Sequence, residues 1–225
     1  MSANFSAKHA PRSAELRVGG LVRLSTCDWP GELVATVFCQ GCPWACGYCH
    51  NPHLIPPNAR TSIAWSDVLL FLESRRGLLD GVVFSGGEPT LQAALPEAIR
   101  AVRALGFRIG LHSAGPYPDR LAAVLPLIDW IGFDVKAAFA DYDRITGVVH
   151  SGVKAKESLL NVLHSHVACD IRTTVHDAML NETALARLAS DIAALRIRKH
   201  RIQPFRAAGC TNAALLGKND CRESS

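Results

Sequence analysis

Leu33-Val-Ala-Thr-Val-Phe38 runs straight into Cys39-Gln-Gly-Cys42-Pro-Trp-Ala-Cys46-Gly-Tyr-Cys49-His-Asn51. A β-branched, apolar run of this length reads as a buried strand, and it delivers a cysteine-rich loop at its carboxyl end. In folds built from parallel strands, that end is where ligands bind. Outward from this junction the same alternation repeats. Further strands are expected at Gly81–Phe84, Phe107–Leu111, Trp130–Val135, Asp170–Val175 and Arg201–Pro204. Helical spacing falls between them. Ser66 stands as an N-cap ahead of Val68, Leu69, Phe71 and Leu72. Pro96 suits the first turn of a helix that Gly106 stops. Helices are also expected at Pro118–Leu127, Ser151–His166 and Asn181–Leu195. Six strands with five intervening helices predict an α/β fold of βαβ units with parallel strands in a single domain. They are too few to close an eight-fold barrel, which leaves a partial, open barrel or a doubly wound sheet. Residues 1–15 are expected as a flexible N-terminal segment, 16–206 as the domain and 207–225 as a C-terminal tail.

The 225 residues are 48% hydrophobic and 20% charged, with a formal net charge of +4, and the mean hydropathy is +0.12. That composition excludes a disordered chain. No apolar run approaches the ~18 residues of a membrane span. The charge excess is too small to argue for nucleic acid, so neither a membrane nor a nucleic acid is expected as a partner. Met1 to Glu15 is polar and lacks the apolar core of a secretory signal, which predicts a cytoplasmic protein.

Cysteine is the outlier. Four of the eight lie between positions 39 and 49, and the others are Cys27, Cys169, Cys210 and Cys221. In a reducing compartment, clustered cysteines read first as metal ligands. Cys42, Cys46 and Cys49 form C-x3-C-x2-C, a spacing that lets a loop wrap a compact iron–sulfur cluster with each thiolate on a different iron. Three ligands leave one iron of a four-iron cluster open, as a catalytic metal site requires. The competing reading is a structural zinc site that recruits Cys39, although zinc ribbons usually separate their cysteine pairs by ~15–20 residues.

With Tyr48 in its aromatic place, this loop resembles the signature of the radical S-adenosylmethionine superfamily. Val82-Val-Phe-Ser-Gly-Gly-Glu-Pro89 resembles that superfamily's glycine-rich segment, which meets the methionine amino group. Asp28-Trp-Pro-Gly31, Cys49-His-Asn-Pro52 and Phe133-Asp-Val-Lys136 are similar to glycyl-radical enzyme activating enzymes. Gly110-Leu-His-Ser-Ala-Gly115, Arg172-Thr-Thr-Val-His176 and Ile202-Gln-Pro-Phe-Arg206 are similar to the activases of anaerobic ribonucleoside-triphosphate reductase. The likeness covers roughly residues 16–210. It implies a partial (β/α)6 TIM-like barrel, a [4Fe-4S] cluster on Cys42, Cys46 and Cys49, and S-adenosylmethionine as the second cofactor. It implies reductive cleavage of that cofactor to a 5′-deoxyadenosyl radical, which removes a hydrogen atom from a glycine of a partner enzyme. The partner it implies is the anaerobic reductase, with flavodoxin or ferredoxin as reductant. A radical enzyme acting on a small molecule is the alternative.

The resemblance also assigns cofactor contacts. Gly86 and Gly87 let ligand and strand end approach closely. Glu88 hydrogen-bonds the amino group or supports the loop, and Tyr48 offers its face to adenine or anchors the core. His112 and Ser113 contact ribose or carboxylate, or simply pack. Asp134 and Lys136 serve the methionine group, or form a surface ion pair. Arg172, inside a strand, needs a partner such as a substrate carboxylate or Asp134. His176 is a weaker candidate, and Arg196–Arg201 reads as a solvated helix end.

Overall fold

Six strands run parallel and side by side, as their sequence spacing demands, and the computed structural model describes residues 15–216. They are β2 (Val34–Cys39), β3 (Gly81–Gly86), β4 (Arg108–Ser113), β5 (Trp130–Asp134), β6 (Ala168–Val175) and β7 (His200–Pro204). A strand not read from the sequence, β1 (Val18–Ser25), adds to the β2 edge in the antiparallel sense. The sheet order is β1 to β7 in chain order, so every parallel neighbour is reached by one crossover. This is a partial TIM-like barrel of six parallel strands joined by five helical crossovers, with one antiparallel edge strand. β1 escaped the pattern because Gly19 and Gly20 interrupt its apolar alternation. Gly19 is needed there, since a side chain would overlap Leu54 and Gln40.

Each crossover carries a helix: α1 (Trp65–Glu73), α2 (Leu95–Ala104), α3 (Pro118–Val124), α4 (Tyr142–Thr146) with α5 (Ser151–His164), and α6 (Glu182–Ala194). α1 starts one residue before the expected cap. Ala64 occupies the N-cap and Ser66 lies in the first turn, with Asp67 supplying the negative charge that the helix start favours. α3 ends at Val124 in a 3-10 turn over Leu125–Leu127, and the short α4 carries no periodic signal of its own. Among the described residues, no helix is long and apolar enough to cross a membrane.

Alternation along the strands splits the sheet into two chemistries. Ala35, Val37, Val82, Phe84, Ile109, Leu111, Ile131 and Phe133 face outward and are buried against Val68, Leu72, Ile99, Val102 and Leu159 of the helices. The inward face holds Thr36, Ser85, His112, Asp134, Arg172 and Gln203, and the parallel register sets Asp134 beside Arg172 and Gln203 beside Thr174. Beneath that polar row lies a small separate cluster of Trp29, Val34, Val83 and Trp130. The two indoles stack with centroids 5.5 Å apart at 14°. Gly81 and Gly110 make room for Trp29, because a Cβ at either would meet its ring at 3.1 Å and 2.9 Å.

Candidate active site

The inward face opens at the carboxyl ends of the strands into a cavity of about 230 Å³. Cys42, Cys46, Tyr48 and Cys49 stand on one side of it, and Gly86, Gly87 and Glu88 line another. His112, Ser113, Asp134, Lys136 and Arg172 complete the wall. All twelve residues singled out from the sequence therefore meet in one place. His176 does not. It lies over Phe205 at 5.1 Å with Nε2 near the Leu215 carbonyl.

The cysteine loop is tied down by backbone hydrogen bonds. Cys42 N donates to the Ile55 carbonyl at 3.0 Å, Ala45 N to Thr146 at 2.9 Å, and Cys49 N closes a turn on Cys46 at 3.0 Å. Cys39 pairs with Gly86 at the end of β2 and is wholly buried in the outward core, not in the cavity. A four-cysteine zinc site would need it there. Among the described residues, no three His, Cys, Asp or Glu side chains converge as ligands of a single ion would. The three rim thiols instead suit a cluster in which each sulfur takes a different metal atom.

Gly86 and Gly87 are also required by the fold itself. Gly86 has φ +118°, and a Cβ on it would overlap the Cys39 backbone; one on Gly87 would overlap the Gly41 carbonyl. The close approach they permit is of the cysteine loop's own backbone. Gly87 N donates to Cys39 O at 3.0 Å and Glu88 N to Gly41 O at 2.8 Å, so the two loops are stapled together.

Glu88 is buried and supports this junction. Its carboxylate accepts from Thr90 N and Oγ1 at 3.1 and 2.6 Å, from Ser113 Oγ at 2.9 Å and from Ala114 N at 3.1 Å. Burial raises its pKa, and those donors pull it back. Ser113 is thereby committed to Glu88, and its oxygen also accepts from Gly115 N. His112 is likewise occupied. Nε2 donates to the Asp28 carbonyl at 2.8 Å, which leaves Nδ1 to accept from Ser85 Oγ at 3.1 Å. Burial, then the Arg172 charge, lowers its pKa to about 4, so the ring is neutral.

Asp134 sits between two cations. Arg172 Nε reaches Oδ1 at 2.6 Å and Lys136 Nζ reaches Oδ2 at 3.2 Å. Against the opposing effect of burial, Arg172 and then Lys136 hold its carboxyl far below the usual range. Lys136 Nζ also lies 5.7 Å from the centre of the Tyr48 ring. One donor of Lys136 and one of Arg172 are used by Asp134, so further N–H groups remain at the cavity wall. The Tyr48 hydroxyl is buried without a hydrogen-bond partner, a defect that a bound acceptor would repair.

This wall, rich in unspent donors and flanked by three thiols, fits an anionic ligand held next to a metal cluster. Burial pushes the Cys42 thiol up to about 12 and raises Cys46, while Lys136 pulls both back. Metal binding is what deprotonates such thiols outright. The sequence reading missed Ser85, Thr174 and Gln203, which also line the cavity. Thr174 and Gln203 are hydrogen-bonded to each other at 3.0 Å. The signal for them was period two, since Thr174 must share a face with Arg172 and pairs with Gln203 across the ladder.

A partial barrel with three free cysteines at its carboxyl mouth is an arrangement suited to a metal cluster. The family model "Radical SAM superfamily" matches residues 36–189, and the chain belongs to that superfamily. It is therefore an enzyme that uses a four-iron, four-sulfur cluster and S-adenosylmethionine. A protein of Methanocaldococcus jannaschii named as a glycyl-radical enzyme activating enzyme is 29% identical over 78% of this chain and 75% of its own length. The pyruvate formate-lyase-activating enzyme of Clostridium pasteurianum is 28% identical over 86% of this chain and 83% of its own. Among solved structures, TYW1 with a lysine–pyruvate adduct bound superposes with a TM-score of 0.58 at 16% identity, covering 81% of this chain and 68% of that one. That likeness is one of fold.

Proposed function

We propose that this enzyme installs a glycyl radical on a partner protein. The observation that carries the reading is similarity to two activating enzymes along most of both chains. The cavity adds to it, being open at the strand ends where a loop of another protein can enter. The motifs at Gly110–Gly115, Arg172–His176 and Ile202–Arg206 favour anaerobic ribonucleoside-triphosphate reductase as the partner, with flavodoxin or ferredoxin as the electron source.

Cys42, Cys46 and Cys49 hold the cluster, and Lys136, Arg172 and the Tyr48 hydroxyl offer donors to the methionine carboxylate. When bound, the two cofactors supply the one-electron reduction and the radical chemistry; the chain supplies orientation and dryness. Asp134 fixes both cations by charge-assisted hydrogen bonds. Glu88 and Ser113 keep the glycine segment against the cysteine loop, and neutral His112 braces the wall from below.

The test is anaerobic. Reduced enzyme, S-adenosylmethionine and the reductase are mixed and followed by electron paramagnetic resonance. A glycyl-type doublet is expected with the native enzyme and none with Cys42→Ala. Release of 5′-deoxyadenosine with no protein radical would overturn the reading in favour of a small-molecule substrate.

A further inference from the structure

Residues 207–216 follow the last strand and were expected to lie outside the domain, yet they press on the outer side of the cysteine loop. Asn212 Nδ2 donates to the Gly47 carbonyl at 3.0 Å. Cys210 Sγ lies 3.9 Å from the same oxygen. His50 Nε2 donates to the Arg206 carbonyl at 2.9 Å. Cys210 and Leu215 are buried in the main core, so this strap is anchored at both ends of its contact.

Gly47 lies between two rim cysteines, and its peptide belongs to the turn that Cys49 N closes on the Cys46 carbonyl. Rotating that peptide would swing Cys46 and Cys49 together. Little else restrains it from outside. A Cβ at Gly47 would already touch Met179 Cε at 3.3 Å and Asn212 Nδ2 at 3.4 Å, so the turn is gripped between those two side chains. Asn212 is itself fixed, because its Oδ1 accepts from Ala214 N at 3.1 Å and leaves the amide nitrogen to face Gly47. A cavity of about 220 Å³ lies between loop and strap, with Cys46, Cys49, Thr211 and Asn212 in its wall. The strap thus forms one wall of a space that both thiols line.

We infer that Asn212 is a positioning residue for the metal cluster, and that the strap it belongs to is part of the cofactor site. The inference rests on the three-cysteine cluster reading. Asn212→Asp separates grip from fold, since the carboxylate still accepts from Ala214 N but cannot donate to Gly47.

The experiment uses the full-length reconstituted protein. Iron loss to an anaerobic chelator should run about five- to tenfold faster in Asn212→Asp than in the native chain, the weight of one lost hydrogen bond. The reduced-cluster resonance should broaden as Cys46 and Cys49 sample more than one arrangement. Apo-protein melting should drop by no more than one hydrogen bond's worth. Thr211→Ala, which lines the same cavity without bonding the loop, should behave as native. Native iron loss and line shape in Asn212→Asp would overturn the inference alone. A native protein that binds no iron would overturn the cluster reading beneath it.

Discussion

Phe84 and Ser85 are neighbours on β3, and their side chains live under opposite rules. Phe84 points outward, fully buried among apolar helix residues. Ser85 points inward, in a row where each polar group is matched to another: Ser85 with His112, Asp134 with Arg172 and Lys136, Thr174 with Gln203. The outward face makes the barrel stable without any choice of chemistry, because many apolar sets fill such a volume. The inward face has little apolar area to offer and depends on matching, where a missing partner is expensive. Stability and cofactor binding are therefore separable along a single strand.

Substitutions on the two faces should split accordingly. Phe84→Ala, the largest effect, should lower the unfolding free energy by about 3–5 kcal/mol in urea titrations, while folded protein still takes up native iron. A cluster lost in proportion to stability would merge the two faces. Asp134→Asn leaves two cations with a neutral partner. A loss of about 2 kcal/mol is expected, together with weaker S-adenosylmethionine binding in calorimetry at unchanged iron content. Unaltered affinity would remove the ion triad from the ligand site.

The last effect is read in acid. Folded His112 titrates near 4, whereas an unfolded histidine titrates near ~6.5. The unfolded chain thus takes up a proton that the folded one refuses. The His112 contribution is whole above ~6.5 and drains away as pH falls toward 4. Glu88, with its raised pKa, works in the opposite sense, giving stability that fades as pH rises. The contrast with His112→Gln isolates the histidine. The variant's stability should decline less than the native protein's between pH 6.5 and 4, and parallel curves would refute its neutral, buried state.

The six parallel strands were legible because each is a short apolar run at regular intervals, and the cysteine loop because its spacing is chemically restrictive. β1 was not, since Gly19 answers to Leu54 and Gln40 across the fold and not to a local period. The twelve candidate residues do share one cavity. What the sequence could not tell is which of them still have hydrogen-bonding capacity to give. Ser113, His112 and Glu88 look as reactive in one dimension as Lys136 does, yet Ser113 and Glu88 bond each other, and His112 bonds Ser85 and the Asp28 carbonyl. That distinction is a matter of angles and distances. The role of Asn212 was hidden for a related reason, because 165 residues separate it from the carbonyl it holds.

The stacked indoles of Trp29 and Trp130 stopper the narrow end of the half-barrel. A ligand seated above them cannot leave past the indoles, so cofactor and substrate share the doorway at the strand ends.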